Sequence, residues 1–409
     1  MLGEQRLISF TEENYRKTIT KVNDRIYHFL GFSHSNAVAI FGDTSVILVD
    51  TLDSDECAED LKAELLKITD KPVKTIIYTH GHPDHRGGAG AFRDTAEEII
   101  AFLPQKPILK YYERLNDVLA KRGTYQHGYG LTDEEAICQG IGIREGKEIG
   151  KGKYDFINPT TTYNEKTIER VIDGVKIRLV SAVGESDDQV YIWLEDDRVI
   201  CTGDNYYGCW PNLYAIRGTQ YRDIAAWIDS LNEILSYEAS ALLPGHTKPL
   251  IGYDQIQNHV GTFRDAIEYV LFQTLDCMNR GMTMSEAVEN VKLPSTYTEK
   301  DYLGEYYGTV EWAVKSVYTG YLGWFDGNPV KLMPVSDREF NKALLDLIGV
   351  EKLLEKIKGC MEKEEYQLAL QLLELTENND LKKEALLMRA KQMTSANARH
   401  YLIASAKEF

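Results

Sequence analysis

The chain has 409 residues, and 63 acidic against 46 basic side chains give it a formal net charge of −17. This balance argues against a nucleic-acid partner, because phosphate binding depends on lysine and arginine side chains that neutralise charge and release counterions. The length exceeds the ~250–300 residues at which single hydrophobic cores stop growing, so we expect more than one domain.

The sequence contains no sign of a membrane span or of export. No apolar stretch approaches the roughly 20 residues of a membrane span, and the N-terminal segment lacks the apolar core of a signal peptide. We therefore expect a cytoplasmic location. The six cysteines form no C-x-x-C pair, which argues against a zinc-finger or thioredoxin-like site and favours reduced, mostly buried thiols.

The first 252 residues alternate between short apolar runs and segments with a helical period. Glu56–Ile68 and Ile224–Leu235 are the clearest helical segments. The predicted strands are Ala37–Phe41, Ser45–Val49, Val73–Tyr78, Val175–Val180, Gln189–Leu194 and Val199–Thr202. The alternation predicts an α/β fold with two sheets covered by helices.

From about Tyr253 the pattern is helical almost throughout. We therefore divide the chain into a catalytic α/β domain, residues 1–252, and an all-α domain, residues 253–409. The predicted helices of the second part are Ala266–Asn279, Met284–Val291, Tyr306–Thr319, Asp337–Ile348, Lys352–Cys360, Tyr366–Leu375 and Leu381–Met393.

The last two predicted helices resemble one tetratricopeptide-like hairpin. Ala369, Leu372 and Leu373 stand at helical spacing in its first helix. A single hairpin cannot bury its apolar face alone, so we expect it to pack on a partner helix or on a second subunit. The mixed lysines and glutamates of residues 351–365 indicate a solvated helix face.

The most informative motif, His80-Gly-His82-Pro-Asp84-His85, directly follows the strand predicted to end at Tyr78. Neutral imidazole and carboxylate bind Zn²⁺ or a similar cation at ~2.0–2.2 Å. In an extended segment His80 and His82 project to the same side and can hold one ion, whereas Asp84 and His85 begin the next turn and reach a second ion. The spacing therefore predicts a site for two metal ions.

This motif, with its preceding strand, resembles that of the metallo-β-lactamase superfamily, which implies an αββα sandwich. Other parts of the chain fit the resemblance: Asp50 ends a predicted strand, Asp204 matches the bridging acid and His246, in Leu-Pro-Gly-His, matches the last ligand. Most of the superfamily has a histidine before the bridging acid, whereas this chain offers Glu185, Asp187 and Asp188 there.

An acid at this position is similar to the alkylsulfatase-like branch, in which a glutamate is the third ligand of the first metal. Residues 302–329 resemble the helical dimerisation region of that branch, residues 394–399 resemble a segment near its end, and residues 122–128 resemble its substrate-side loop. The resemblance implies one metal on His80, His82 and Glu185, a second on Asp84, His85 and His246, and Asp204 between them. Asp187 and Asp188 remain alternatives to Glu185.

Departures from the long-chain alkylsulfatases concern the substrate. Asp204 stands where we align a glutamate, and residues 206–211 stand where we align histidines that are possible proton donors. The sequence also ends at Phe409, before the sterol-carrier-like domain that often follows in those enzymes. We therefore expect smaller or more polar esters, or capture of the substrate by the catalytic domain alone.

Arg217 is the predicted anion-binding residue, a role that the family resemblance implies. A guanidinium can bind a sulfate through two parallel hydrogen bonds. A surface ion pair with Asp223 is the alternative. Asn212, Tyr214 and Tyr125 complete the predicted substrate-binding set, since tyrosine rings suit pocket walls.

Together these features predict a binuclear metal-dependent hydrolase of organic sulfate esters that holds two Zn²⁺ or other divalent ions per chain. A water between ions ~3.5–4 Å apart would supply a hydroxide nucleophile at neutral pH. Asp84 would serve as both ligand and proton acceptor, and Arg217 is the other predicted catalytic residue. The alternatives are hydrolysis of a thioester, lactone, β-lactam or phosphodiester on the same scaffold, and a dimeric binding protein with a vestigial site.

The helical region and the segment after it are rich in aromatic residues. Trp312, Tyr318, Tyr321, Trp324 and Phe325 exceed what a helical appendage needs for its own core. Since aromatic side chains are enriched in protein interfaces, we expect a homodimer.

Overall fold

Two β-sheets pack face to face in the first part of the chain, and helices cover their outer faces. The structure is a computed structural model that describes residues 2–106 and 108–409. Its strands are β1 Thr18–Lys21, β2 Ile26–Leu30, β3 Ala37–Phe41, β4 Val46–Val49, β5 Val73–Ile77, β6 Glu98–Phe102, β7 Thr161–Tyr163, β8 Thr167–Ile172, β9 Val175–Ser181, β10 Val190–Leu194, β11 Val199–Gly203, β12 Ala241–Pro244 and β13 Leu250–Ile251.

Each sheet mixes antiparallel and parallel pairs. The first sheet runs β1 to β7 in chain order, antiparallel up to β4 and parallel from β4 to β7. The second sheet has the order β13-β12-β11-β10-β9-β8, in which only β11 and β12 are parallel. Within each sheet, parallel neighbours end at the same edge: β4 with β5 in the first sheet, and β11 with β12 in the second. The loops that follow these strands therefore leave the sheet in a common direction.

The helices divide between the covering layers and the second half of the chain. They are α1 Gly3–Asn14, α2 Asp55–Leu65, α3 Pro83–Arg86, α4 Asn116–His127, α5 Asp133–Ala136, α6 Ile224–Leu235, α7 Tyr253–Asn279, α8 Met284–Asn290, α9 Ser295–Thr298, α10 Val310–Leu322, α11 Asp337–Ile348, α12 Val350–Glu362, α13 Tyr366–Leu373, α14 Asn379–Gln392 and α15 Ala396–Ala406. Short 3₁₀ turns occur at Ala89–Phe92, Tyr112–Leu115, Asp301–Leu303 and Pro329–Lys331.

Strand β4 shows why both faces of the first sheet are apolar. Ile47 and Val49 pack against the second sheet, in a cluster that includes Ile192 and Leu243. The alternate residues Val46 and Leu48 pack under α2. A strand buried on both faces reads as a continuous apolar run, which is why the sequence pattern detected it.

All six predicted strands are present, with ends that differ by at most one residue. The strands that the pattern missed include β1, β7 and β8, whose side chains are largely polar and partly exposed. Among the helices, the one predicted from Tyr306 begins at Val310. The reason is a cap: the Thr309 hydroxyl accepts a hydrogen bond from the backbone N–H of Trp312.

The C-terminal hairpin formed by α13 and α14 finds its partners within the same chain. Ala369 and Leu373 are buried in a cluster with Leu353 of α12 and Ala406 of α15. The expected packing on a partner helix is thus met by two helices. All six cysteines are buried and unpaired, and among the described residues no helix combines the length and apolarity that a membrane crossing requires.

The division predicted at residue 252 falls between two elements that share a core. Val260 and Phe263 of α7 lie in one apolar cluster with Ile200 of β11 and Trp227 of α6. Tyr318, predicted for an interface, belongs to this cluster too, and its hydroxyl donates to Met282 O at 3.0 Å. Its burial removes it from the candidate interface residues.

Candidate metal centre

The predicted metal ligands meet at one edge of the sandwich, where β5, β11 and β12 end. His80 and the short helix α3 follow β5, Asp204 follows β11 directly, and His246 lies two residues after β12. A side chain at Gly245 would collide with the Asp204 carboxylate and the His85 ring. Glycine at that position therefore lets the His246 loop approach the other ligands.

One group of ligand atoms has the spacing expected of ligands around one cation. His246 Nε2 lies 3.2 Å from His85 Nε2, 3.3 Å from Asp84 Oδ2 and 3.3 Å from Asp204 Oδ2. His85 Nε2 lies 3.3 Å from Asp84 Oδ2 and 3.4 Å from Asp204 Oδ1. Ligands about 2.0–2.1 Å from one cation stand no more than about 4.2 Å from each other. The ring nitrogens of His85 and His246 therefore fit one ion together with Asp84 or with one oxygen of Asp204.

A second group lies on the other side of Asp204. His80 Nε2 is 2.9 Å from His82 Nδ1 and 3.7 Å from Asp204 Oδ2. The three ligand atoms lie within 4.8 Å of one another. Asp204 thus belongs to both groups, as a bridging carboxylate would.

Hydrogen bonds hold the histidine rings in orientations suited to metal binding. His85 Nδ1 donates to Asp50 Oδ2 at 2.7 Å, and the same carboxylate accepts from the backbone N–H and the hydroxyl of Thr79, both at 2.8 Å. His80 Nδ1 lies 3.0 Å from the Thr79 hydroxyl oxygen. Each bond occupies Nδ1 and leaves Nε2 free to face the group. Asp50 therefore orients a ligand rather than serving as one.

The charges in this cluster favour a cation. Burial raises the pKa values of Asp84 and Asp204, but the surrounding histidines outweigh burial and hold both pKa values well below the ordinary range. Burial lowers the pKa of His246, but Asp204 outweighs burial and raises this pKa to about 9. Asp204 Oδ1 is buried and accepts no hydrogen bond from the described residues. An unpaired carboxylate oxygen at this point fits a metal ligand.

Glu185 lies in the same cavity but is paired with an arginine. Its carboxylate accepts from Arg222 Nη1 at 2.9 Å and from the Tyr207 hydroxyl at 3.0 Å. Asp187 and Asp188 do not line the cavity. Asp188 accepts a hydrogen bond from the Ser186 hydroxyl at 2.6 Å. Partial burial raises the pKa of Asp187, although the Lys106 ammonium opposes this shift. Of the three acids, Glu185 is the one that lines the cavity together with residues of the ligand groups.

A cavity of about 420 Å³ opens next to the ligands, and Arg217 and Asn212 line it. Arg217 forms no ion pair with the described residues, because Asp223 caps α6 and pairs with Lys106 at 2.8 Å. Burial and the neighbouring Arg222 lower the pKa of Arg217. Both amide atoms of the Asn212 side chain are buried without a hydrogen-bond partner among the described residues. These unpaired groups suit an oxyanion.

Tyr125 and Tyr214, predicted to contact substrate, are not among the residues that line this cavity. The Tyr125 hydroxyl donates to Glu408 near the C-terminus, and its ring packs at 5.2 Å against Tyr401. The end of helix α4, which carries Tyr125, does reach the cavity, but through other side chains. His127 and Tyr129 are the ones that line it.

Several cavity residues were missed by sequence reasoning. Arg222, Glu145 and His34 carry no local motif, and only the fold brings them to the site. His127 lies in residues 122–128, which resemble a substrate-side loop, so for this residue the sequence did indicate a place near the substrate. Glu145 accepts hydrogen bonds from the hydroxyls of Tyr129 and Tyr154, and the latter bond is 2.6 Å long.

Comparison with known proteins relates the chain to one superfamily. The metallo-beta-lactamase superfamily model matches residues 30–246, and the alkyl sulfatase dimerisation model matches residues 283–409. A linear primary-alkylsulfatase of Pseudomonas sp. is 35% identical over 340 residues, which cover 80% of this chain and 63% of that protein. The alkyl/aryl-sulfatase BDS1 of Saccharomyces cerevisiae is 31% identical over 341 residues, which cover 80% and 52%.

The chain therefore spans 52–63% of the length of these two relatives. Among solved structures, the stereoselective inverting sec-alkylsulfatase Pisa1 from Pseudomonas sp. superposes with a TM-score of 0.86 at 24% identity and covers 99% of this chain and 67% of its own. At that identity the superposition shows a common fold. Because one family model covers more than half of the residues, the chain belongs to the metallo-β-lactamase superfamily and carries a C-terminal region of the alkyl sulfatase dimerisation family.

Proposed function

We propose that this protein is a metal-dependent hydrolase of organic sulfate esters that works with two divalent cations, with zinc as the expected metal. The observation that carries the proposal is the juxtaposition of two features. Two histidines, His85 and His246, lie 3.2 Å apart, and carboxylate oxygens of Asp84 and Asp204 lie 3.3–3.4 Å from each of them. The guanidinium of Arg217, which forms no ion pair with the described residues, and the Asn212 amide, which has no hydrogen-bond partner among them, line the adjoining cavity.

The proposed ligand set divides into two sites that share Asp204. Metal one is held by His80, His82 and Glu185, and metal two by Asp84, His85 and His246. Arg222 and Tyr207 hydrogen-bond the Glu185 carboxylate, which lines the same cavity as His82 and Asp204, so this pair would orient that ligand. Imidazole and carboxylate in this mixture suit Zn²⁺ better than Mg²⁺ or Ca²⁺, which prefer oxygen ligands alone.

When bound, the two cations would lower the pKa of a coordinated water and polarise the ester. The side chains of the protein perform the remaining steps. Arg217 and the Asn212 amide bind the sulfate oxygens and fix the ester relative to the ligand groups. Asp84, whose Oδ2 lies 3.3 Å from the Nε2 atoms of His85 and His246, accepts the proton of the attacking water.

The names of the relatives support a sulfate ester as the substrate. The bacterial and the yeast proteins are both called alkylsulfatases, and this chain has an arginine positioned for an anionic group. The cavity wall is mostly polar, with Pro83, Ala120 and Ile141 as its aliphatic side chains among the described residues. This lining supports a short or polar organic group over a long alkyl chain, because burying methylene groups is favourable only against an apolar wall.

We also propose a homodimer. The segment from Tyr321 to Val350 carries large apolar side chains that the chain itself leaves uncovered: Trp324 is 71% exposed, Met333 92% and Leu347 82%. Helix α11 has no buried residue, although its sequence is amphipathic. This uncovered surface falls inside the region that matches the alkyl sulfatase dimerisation family. A contiguous apolar surface of this kind suits a protein interface.

A substrate panel tests the catalytic proposal. The metal-supplemented protein is assayed on a short alkyl sulfate, a phosphate diester, a thioester and a lactone of similar size. Turnover of the sulfate above the other three is the expected result. Turnover of another ester in the absence of sulfate hydrolysis would overturn the sulfatase assignment, and no turnover by metal-loaded protein would favour the binding-protein alternative.

A further inference from the structure

His34 approaches the second ligand group from a loop that the metal motif does not include. It lies between β2 and β3, is 4% exposed and lines the cavity. Its Nε2 is 3.8 Å from Asp84 Oδ2, and its ring centre is 4.8 Å from that of His246. The ligand atoms of His34, Asp84 and His246 all lie within 4.8 Å of one another.

Hydrogen bonding prepares His34 in the same way as the proposed histidine ligands. Its Nδ1 lies 3.2 Å from the carbonyl oxygen of Ile143 and donates to it, so the lone pair is on Nε2. His246 donates through Nδ1 to the His34 carbonyl at 3.0 Å, and His85 donates through Nδ1 to Asp50. A ring nitrogen that donates to a carbonyl or carboxylate is the usual partner arrangement of a metal-binding imidazole. All three rings therefore present Nε2 to the oxygen of Asp84.

The loop that carries His34 is tied to the loop that carries His246. The Asn36 side chain donates to Pro244 O at 3.1 Å and to Thr247 O at 2.8 Å, on either side of His246. The Ser35 hydroxyl donates to the backbone oxygen of Asp84 at 2.5 Å. His34 thus directly precedes two residues that are anchored to the segments that carry Asp84 and His246, which restricts its position relative to them.

Simple packing explains these features less well. Nε2 of His34 makes no hydrogen bond to the described residues, although the ring is buried. His34 lines the cavity and its Nε2 lies beside the Asp84 carboxylate, so a cation there would give this atom a partner. His28, on the neighbouring strand β2, differs in position: its Nε2 lies 3.5 Å from the carbonyl oxygen of Pro244, its Nδ1 is buried without a partner among the described residues, and it belongs to none of the ligand groups of the described residues.

We propose that His34 is an additional ligand of the second cation, beside Asp84, His85, His246 and Asp204. The inference rests on the proposed function, because it requires that a cation occupies this group. Zinc sites accept a fifth ligand, and the 3.8 Å between His34 Nε2 and Asp84 Oδ2 is short enough for both atoms to contact one cation at ~2.1 Å. A third imidazole would also shift this site further towards zinc-like cations and away from Mg²⁺ and Mn²⁺.

The test measures metal binding rather than activity. The full-length protein is stripped with a chelator and titrated with Zn²⁺ and Co²⁺, and bound metal is counted by elemental analysis. His34→Ala should bind its second equivalent of Zn²⁺ at least tenfold more weakly, since losing a residue that merely orients a ligand already costs about 10–100-fold. Its first equivalent should bind as in the wild type. The visible absorption of bound Co²⁺ should rise, because four-coordinate Co²⁺ absorbs more strongly than five-coordinate Co²⁺.

Two further variants separate ligand loss from damage to the fold. His28→Ala removes a buried imidazole from the adjacent strand and should keep wild-type affinity at both sites. His34→Gln fills most of the volume of the ring, so it reports on the ligand even if the alanine variant does not fold. Equal affinity for the second equivalent and an unchanged Co²⁺ spectrum in the His34 variants would overturn the inference and leave the two-cation proposal intact. Failure of the wild type to bind a second equivalent would reject both.

Discussion

The candidate metal centre and the helical region differ in the kind of side-chain atoms that the chain leaves without a partner. At the sheet edge the unsatisfied atoms are polar and buried: Asp204 Oδ1 and both amide atoms of Asn212 lack partners among the described residues. Between Tyr321 and Val350 the uncovered groups are apolar and exposed, with Met333 as the extreme. Buried polar atoms call for a small charged ligand, whereas exposed apolar side chains call for another protein surface. Each region therefore indicates the chemistry of what completes it.

At the candidate metal centre, removal of the Asp204 carboxylate, which both ligand groups share, should have the largest effect. Asp204→Ala should lose both cations and lower turnover by more than about 100-fold, since residues that only orient metal ligands already cost about 10–100-fold. Elemental analysis and initial rates measure the two effects. Asp187→Ala is the matched control, because its carboxylate lies outside the cavity, and it should keep both metals. A metal-replete Asp204→Ala protein would contradict the bridging role.

The apolar side is tested by charging its surface. The double variant Trp324→Glu and Met333→Glu should turn a dimer of about twice 46.5 kDa into a monomer, because two charges would have to be desolvated in the interface. Light scattering at micromolar concentration gives the mass, and metal content should not change. Phe272→Glu, on the exposed face of α7 and outside this segment, should leave the dimer intact. A wild-type mass near 46.5 kDa would reject the dimer.

The proposed role of Arg217, which is to bind the anionic group of the ester, is tested by comparing charged and neutral substrates. Arg217→Ala should lower turnover of a sulfate ester by roughly tenfold or more, corresponding to the ~1.5–3 kcal/mol of a charge-assisted contact, with metal content unchanged. A neutral ester of similar size should be much less affected, since it has no anionic group to position. Arg178→Ala, a surface arginine paired with Glu169, is the control. Equal losses on charged and neutral esters would make Arg217 a structural residue.

The smallest effect concerns pH and separates the metal-free from the metal-loaded centre. In the metal-free protein the pKa of His246 is raised from 6.5 to about 9, and that of His85 is also raised, so both contribute stability below pH 6.5 that is lost as pH rises through about 9. The melting temperature of the metal-free protein should therefore fall between pH 6.5 and 9. The loaded protein should show a smaller slope there, because cations replace the protons. Identical slopes would mean that these histidines do not carry the effect.

Local sequence patterns were enough to identify the metal motif and six strands. His80, His82, Asp84 and His85 are adjacent in the chain, so their grouping depends only on a strand end and the turn that follows. Helix α11 was predicted with its actual ends, Asp337 and Ile348, because its apolar residues recur at helical spacing and Ser336 caps its first turn. The family resemblance supplied Asp204, His246 and Glu185, which no local spacing connects to the motif.

Only the tertiary structure decided which other side chains reach the centre. His34, Glu145 and Arg222 come from separate loops, and their contacts depend on the packing of two sheets, which no period of two or 3.6 residues encodes. The same packing turned Tyr125 towards Glu408, placed Tyr318 in the core and paired Glu185 with Arg222. The sequence alone determined the kind of chemistry, because ligand type and local spacing are properties of the chain. The neighbours of each ligand were decided by the fold, because burial and long-range contacts arise only when distant segments pack together.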